Sequence, residues 1–388
     1  MSQKSPVHPS LSTPPAPKTE FSATESALLE LGKLLQHKRY QFVTLTPASH
    51  ARVLARDRFN PTDPLRAVFG WNQPFRKNEL DPSVFELLQK AEVLETLSWD
   101  RFKSRVRFST LGDCLFLHSA FPTEAADSVF FGPDTYRFTR FLKEQLTSRQ
   151  SEGSTFWPQS LQPCRPKLRA LDLGCGAGAG GLFLIHSSPS SSSFSSSPSS
   201  SSSSSSSSPA PLEFSEMVLS DVNPKALSYS RVNSAINAVS DTRLHAAPHS
   251  AGASLTFLES DLYSKVKGEF DLILANPPFL IDGEKRSYRH GGEEAGAELS
   301  LQIVRGALSR LTPGGKLLLY TASAIQDGKD PFINSVYKIL LEPFDKFELS
   351  YEEIDPDIFG EELGRQAYSE VDRLAAVGLV VTRPKVSV

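Results

Sequence analysis

The sequence predicts an α/β protein in which a seven-stranded sheet carries helices on both faces and follows a smaller α+β domain of winged-helix type. Three observations predict it. Strand-like and helix-like runs alternate after Trp157, the pattern of a largely parallel sheet. A glycine-rich bend, Gly174 to Gly178, follows the first of those strands. Upstream, two helical runs give way to a pair of short strand-like runs.

Taken in order, residues 1–20 read as a disordered tail, rich in Ser and Pro. From Ala23 to Gln36 the apolar residues Ala27, Leu28, Leu29, Leu31, Leu34 and Leu35 recur at helical spacing, and a second periodic run extends from Pro82 to Leu94. Arg105 to Ser109 and Cys114 to His118 read as a hairpin around Thr110 to Asp113. Residues 21–122 are thus expected to form an N-terminal domain, either a recognition module or a lid on the larger domain.

Residues 123–388 are expected to form that larger domain. Its strands are predicted at Arg169 to Leu173, Glu216 to Ser220, Leu255 to Glu259, Leu272 to Ala275, Lys316 to Thr321, Phe347 to Tyr351 and Ala375 to Thr382. Helices fall at Gly180 to His186, Pro224 to Asn237, Ala295 to Leu311 and Pro331 to Leu341. The almost pure serine tract within 187–210 cannot bury a core and reads as a disordered insertion, neutral or a target for phosphorylation. As a helix-to-strand connection it leaves the edge of the sheet opposite to the one that binds ligands.

Composition narrows the function. Forty-one Lys and Arg against 44 Asp and Glu give a net charge of −3, which argues against coating nucleic acid by phosphate neutralisation alone. The three cysteines, Cys114, Cys164 and Cys175, are too scattered for a disulfide framework or a zinc site, so no metal is implied. No apolar run approaches the roughly 18 residues that cross a bilayer. A cytoplasmic location is expected; the acid-free opening stretch resembles an organelle transit signal only faintly. Oligomeric state is not legible.

Four local patterns carry chemistry. Asp172-Leu173-Gly174-Cys175-Gly176-Ala177-Gly178 lies where a strand gives way to a helix, and glycines there let backbone approach a small molecule. The same glycines with Gly181 also satisfy a dinucleotide fingerprint, which keeps a nicotinamide oxidoreductase open. Asp221 ends the second strand, followed by Asn223-Pro224 as a helix start; it stands roughly 20 residues past the glycines once the serine tract is discounted, where dinucleotide-binding folds also carry an acid. Glu259-Ser260-Asp261-Leu262 ends the third strand. At the end of the fourth stands Asn276-Pro277-Pro278-Phe279, where two prolines fix φ and hold the Asn276 side chain and the turn carbonyls in one geometry. Acceptors so held can grip the hydrogens of an amide or aromatic amine, whose delocalised lone pair makes it a poor nucleophile, while Phe279 stacks on its flat face. A nicotinamide enzyme has no use for that turn.

Asp172-x-Gly174-x-Gly176-x-Gly178 resembles the first motif of class I S-adenosylmethionine-dependent methyltransferases, which have a seven-stranded Rossmann-like sheet. The chain is most similar to their small-domain group, which contains release-factor glutamine N5-methyltransferases and rRNA guanine-N2 methyltransferases; the likeness covers about Phe130 to Val381. It implies S-adenosylmethionine as cofactor, with Asp172, Gly174, Gly176 and Gly178 around its methionine part. Asp221 would sit on its ribose hydroxyls, Asp261 on the adenine amino group and Leu262 against the ring. It also implies catalysis at Asn276, Pro277 and Phe279 on a macromolecular acceptor. Phe279 replaces the Tyr usual in glutamine enzymes, and Leu280 the His frequent in ribosomal ones. The segment Pro133-Asp134-Thr135-Tyr136 resembles the cofactor-covering Pro-[Asp or Glu]-Thr-Glu of release-factor enzymes, with Tyr136 in place of Glu. Together with the charge balance it tips the expected acceptor toward a protein glutamine amide in a translation factor, the exocyclic amine of a nucleobase in rRNA or another nucleic acid remaining the alternative. A non-catalytic RNA- or protein-binding module on the same fold is the rival from another class. The polar run Arg286 to Gly292 is expected to gate substrate, or to offer His290 as a proton acceptor.

Overall fold

A computed structural model describes residues 20–56, 61–123, 125–147, 167–187, 212–237, 254–283, 286, 288–342 and 346–385. The expected tail apart from Glu20, most of the serine insertion and Cys164 fall outside these residues.

Helix α1 (Ala23–His37) begins where Ser22 and Glu25 form a reciprocal capping box, and it buries Ala27, Leu28, Leu31 and Leu35. Helix α2 (Pro47–Leu54), capped by Thr46, buries only His50 and shows no apolar stripe that a periodicity reading could find. After β1 (Phe75–Arg76), Asp81 caps α3 (Pro82–Lys90). That helix stops short of the expected Leu94, because Glu92 adopts a positive φ of 56° and Leu94 opens a strand. Strands β2 (Leu94–Ser98) and β3 (Arg101–Ser104) join β1 in a three-stranded antiparallel sheet of order β1-β3-β2. The sequence reading missed this sheet, since the mostly exposed β2 lacks apolar alternation. The expected hairpin forms separately from β4 (Val106–Leu111) and β5 (Cys114–Ser119), with a tighter turn than read because Gly112 takes φ 57°.

Helix α4 (Pro133–Thr147) leads into β6 (Leu168–Leu173), α5 (Ala179–Ser187), β7 (Phe214–Asp221), α6 (Pro224–Ile236), β8 (Ser254–Glu259) and β9 (Phe270–Ala275). Helix α7 (Glu298–Leu308), β10 (Leu311–Ile325), α8 (Pro331–Leu341), β11 (Glu348–Asp355) and β12 (Arg373–Thr382) complete the chain. All seven expected strands pair in one sheet, of order β11-β12-β10-β9-β6-β7-β8. β8, β7, β6, β9 and β10 run parallel, whereas β12 is antiparallel to β10 and to β11. The expected helix over 295–311 is shorter at both ends: Glu294, Ala295 and Gly296 all have positive φ, and Leu311 already pairs with Phe270. Central β9 is buried on both faces, with Phe270, Leu272, Ile273, Leu274 and Ala275 inaccessible to solvent, as a sheet sandwiched between helix layers requires.

Two asparagines join the N-terminal hairpin to this sheet. β5 forms one edge of its two-stranded ribbon, so the backbone groups of Leu115 and Leu117 need partners outside it. Asn233 on α6 accepts from Leu117 N–H at 2.7 Å and donates to Leu117 C=O at 3.0 Å. Asn237, the α6 C-cap, treats Leu115 in the same way, at 2.8 and 2.9 Å. The registers match because four helical residues rise about 6 Å and two strand residues about 6.6 Å. Asn233 also donates to Ala177 C=O at 2.9 Å, so one amide ties the hairpin to the glycine bend. Asn233→Ala should therefore leave buried Leu117 groups unsatisfied and cost about 3 kcal/mol of stability, measurable by urea unfolding. A loss indistinguishable from zero would mean the clip is incidental.

Candidate active site

The site is built where four adjacent parallel strands end. Leu173 pairs with Ser220 on one side and Ala275 on the other, and Asp221 pairs with Glu259. The residues next in the chain, Gly174, Asn276 and Ser260-Asp261, therefore stand in a row with Asp221 along one carboxyl edge, each a strand spacing of about 4.8 Å from the next. The chain order reverses between β6 and β9, which opens a crevice there.

In the glycine bend, Gly174 and Cys175 both donate N–H to Ser220 C=O, at 2.8 and 2.9 Å. Gly174 and Gly176 have φ of 70° and 53°, and a methyl group added to either would meet nothing among the described residues within 4 Å. Backbone geometry demands glycine at both positions, and both face open space. Gly178, at φ 77°, does the opposite: a Cβ there would crowd Leu182, Ser230 and Leu219, so it seats the bend on α5. Asp221 accepts from Gly176 N–H at 2.9 Å and from Asn223 N–H at 2.8 Å, while Asn223 caps α6. The carboxylate keeps lone pairs for a further donor.

One cavity of about 410 Å³ lies over this edge. It is lined by Asp172, Gly174, Gly176, Asp221, Asp261 and Leu262, and also by Asn276, Pro277 and Phe279; Gly178 is not among its walls. Asp261 is exposed at the rim, and Leu262 turns through a positive φ of 43°. Phe279, 8% exposed, packs edge-on against Tyr320 and Phe359, with ring centroids 6.3 and 5.9 Å away. Tyr320 in turn donates to Asp134 at 2.7 Å. The Asn-Pro-Pro-Phe turn and the start of α4 are thereby braced against each other. Thr135 accepts from Gly132 N–H at 3.3 Å, and the Tyr136 hydroxyl accepts from Thr44 N–H at 3.1 Å.

Three residues of the polar run are anchored: Arg286 grips Asp282, Arg289 pairs with Glu362, and the Tyr288 hydroxyl donates to Thr123 C=O. The Arg286 hydrogen bonds hold the Asp282 carboxyl down at about 2. His290 is not a cavity wall, and its Nδ1 accepts from Asp282 N–H at 3.3 Å; Tyr288 and Arg289 are the members of the run that line the cavity.

Several walls come from residues that sequence reasoning passed over. Thr44, Arg107 and His118 face the same cavity from the N-terminal part. Arg107 and His118 are cross-strand partners in the hairpin. His118 Nδ1 lies 3.0 Å from Ser119 C=O and so carries the proton; Nε2 then accepts from the Ser109 hydroxyl at 2.8 Å, and Thr44 donates to Ser109 at 2.5 Å. Burial and nearby Arg107 keep His118 neutral. Because β4 and β5 are buried on both faces, no alternation in the sequence marked which side chains would reach a cavity.

The carboxyls under the bend are perturbed by burial. Asp172, 2% exposed, accepts from Gly181 N–H at 2.7 Å; desolvation, with a smaller contribution from the charge of Asp221, pushes it up to about 7. Desolvation also raises Asp221, against its backbone hydrogen bonds. A native acid so raised keeps its proton between about pH 4 and 7 while the unfolded chain has lost it, so ligand-free stability falls as pH rises through that window. Asp172→Asn should flatten part of that fall, seen as melting temperatures followed from pH 4.5 to 7.5. Parallel wild-type and variant curves would show that Asp172 is already ionised.

Residues 211–338 match the family model described as "Methyltransferase small domain". A release factor glutamine methyltransferase of Deinococcus radiodurans is 30% identical over 115 residues, 27% of this chain and 36% of its own length. A ribosomal RNA small subunit methyltransferase C of Sodalis glossinidius is 31% identical over 102 residues, 26% of this chain and 22% of its own. The chain thus spans well under half the length of these relatives. Among solved structures, a 16S rRNA methyltransferase of T. thermophilus in complex with AdoMet and guanosine aligns with 81% of this chain and 64% of its own, at 13% identity and a TM-score of 0.37. The resemblance read from the motifs is thus met by an independent match, over residues 211–338, to the model of the methyltransferase small domain.

Proposed function

We propose that the chain is an S-adenosylmethionine-dependent N-methyltransferase acting on a planar nitrogen of a macromolecule, and specifically on a glutamine side-chain amide of a translation factor. One observation carries the reading: Gly174 and Asn276 succeed directly paired residues of β6 and β9 and line one cavity. A backbone cradle and a turn built to aim acceptors are therefore neighbours.

The residues fit the cofactor. Gly174 and Gly176 open onto space that a side chain could enter unopposed, and Asp221 and Asp261 offer acceptors along the same edge. In this reading Asp172, Gly174 and Gly176 hold the methionine part, with Gly178 seating the bend. Asp221 takes the ribose hydroxyls, Asp261 the adenine amino group, and Leu262 lies against the ring. When bound, the cofactor supplies an electrophilic methyl group on a sulfonium. The chain supplies orientation: the Asn276 side-chain oxygen and the Pro277 carbonyl accept the hydrogens of the target nitrogen, drawing its lone pair toward the methyl. Phe279, held by Tyr320 and Phe359, bounds the flat face of the acceptor. Residues 21–122 serve to recognise the acceptor and cover the site.

The glutamine assignment is supported by the Pro133-Asp134-Thr135 segment, which lines the cavity, by the near balance of charge, and by the relative named for release factors. A nucleobase amine is the second reading. It is favoured by the relative named for ribosomal RNA and by Trp99, 90% exposed at the β2–β3 turn beside exposed Arg101, a surface on which an unpaired base can stack. Either acceptor implies an intracellular setting.

Asn276→Ala should lower kcat by about a hundredfold or more, the scale seen when an oriented hydrogen-bonding group is lost, while cofactor affinity stays put. Undiminished turnover would remove Asn276 from the mechanism. Asp221→Ala should instead weaken cofactor binding in calorimetry, and unaltered affinity would displace it from the ribose. Labelling a fractionated extract with radioactive cofactor, then treating with protease or ribonuclease, separates the acceptors; label that only ribonuclease releases overturns the glutamine assignment.

A further inference from the structure

Arg107 lies on β4, is 4% exposed and lines the cavity. Its Nε and Nη2 are enclosed and meet no acceptor among the described residues. The titratable groups that feel its charge include the phenols of Tyr40 and Tyr136 and the imidazole of His50, and its guanidinium sits 5.5 Å from the ring centroid of Phe42. His118 opposite is neutral. Burial lowers Arg107 only to about 10, so it remains a cation at neutral pH. A buried charge with no partner is costly, and a protein that keeps one needs a use for it.

The other cations of the cavity wall are already paired. Arg137 bridges Asp134 and Asp355, and Arg289 pairs with Glu362; no lysine lines the cavity among the described residues. Arg107 alone among these arginines has no carboxylate partner within the described residues. Its place in the fold indicates what it meets. The His118 ring stacks on Phe131, centroids 5.2 Å apart and 18° between planes, and Phe131 runs directly into α4. Phe138 of α4 lies against Gly180, at the start of the helix that the glycine bend opens, so the path from Arg107 leads toward that bend.

Accepting the site as an S-adenosylmethionine pocket, we infer that Arg107 binds the amino-acid carboxylate of that cofactor. Nε and Nη2 form one edge of the guanidinium, a two-donor fork that matches a carboxylate. The carboxylate is the one anionic group of S-adenosylmethionine, whose ammonium and sulfonium are cations. The phosphate of a polynucleotide acceptor suits this position less, because its charged backbone stays in water whereas Arg107 is enclosed. Arg107 is thus a binding residue delivered to the pocket by the N-terminal hairpin, so cofactor capture requires that hairpin to be docked on α6.

The test uses the full chain and three ligands in calorimetry: S-adenosylmethionine, S-adenosylhomocysteine, and 5′-methylthioadenosine, which lacks the amino-acid end. Arg107→Met should weaken the first two by about tenfold or more, the worth of a charge-assisted hydrogen-bond pair, and leave the third within about twofold. Arg107→Lys, which keeps the charge without the fork, should fall between. Because the variant removes an unpaired buried cation, ligand-free Arg107→Met should melt no lower than wild type. Equal loss for all three ligands would mean that Arg107 only shapes the pocket, and no loss for any, especially with a raised acceptor KM, would assign it to the acceptor; either result overturns the inference. Wild-type protein that bound none of the three would overturn the pocket reading itself, a distinct outcome.

Discussion

Everything at the candidate site depends on the parallel pairing of β6 with β9, Leu173 opposite Ala275. Strands β7 and β8 follow β6 outward on one side, and β9 and β10 extend the sheet on the other, so chain segments far apart in sequence leave the sheet at adjacent points. A glycine bend and a proline-stiffened turn separated by about a hundred residues become neighbours because two backbones hydrogen-bond in register. A one-residue slip would reverse every side chain on β9, a strand with no tolerant face.

That arrangement fixes the floor of the cavity, and the N-terminal part furnishes the opposing wall. Asn233 and Asn237 meet the free edge of β5 with amide groups that match its donors and acceptors one for one. Helix α1 adds close packing against α6: Gly32 lies against Ile236, where any larger side chain would collide. These contacts are polar and position-specific, so the hairpin is held in one register on the sheet domain. Thr44, Arg107 and His118 gain their place in the cavity from that docking.

Electrostatics divide the cavity. Buried or half-buried carboxyls gather under and beside the glycine bend, where desolvation raises Asp172 and Asp221. On the hairpin side Arg107 stays charged without a carboxylate among the described residues, while the arginines near the other walls are paired. Opposite imperfections at two ends of one pocket describe a ligand with both positive and negative groups more naturally than they describe a folding core. An unpartnered buried cation such as Arg107 is tolerated where binding compensates it.

The seven strands were legible because they are short apolar runs punctuated by Gly, Pro and Asp, and Gly174, Asp221, Asp261 and Asn276 stood out because each lies at or just past the end of a strand. Helix α2 and the β1-β3-β2 sheet escaped, since their exposed faces break the alternation on which a linear reading relies. Helix α7 was drawn too long because three successive residues with positive φ leave no mark in hydropathy. The sequence by itself determined the fold class and the donor and acceptor types at the carboxyl edge, for these arise from local backbone rules. Only the tertiary structure decided that Gly178 supports the bend without facing the cavity, that Phe279 is clamped by Tyr320 and Phe359, and that an arginine from a hairpin sixty-odd residues upstream enters the same pocket. Those outcomes depend on long-range packing, which brings together residues whose sequence neighbours say nothing about one another.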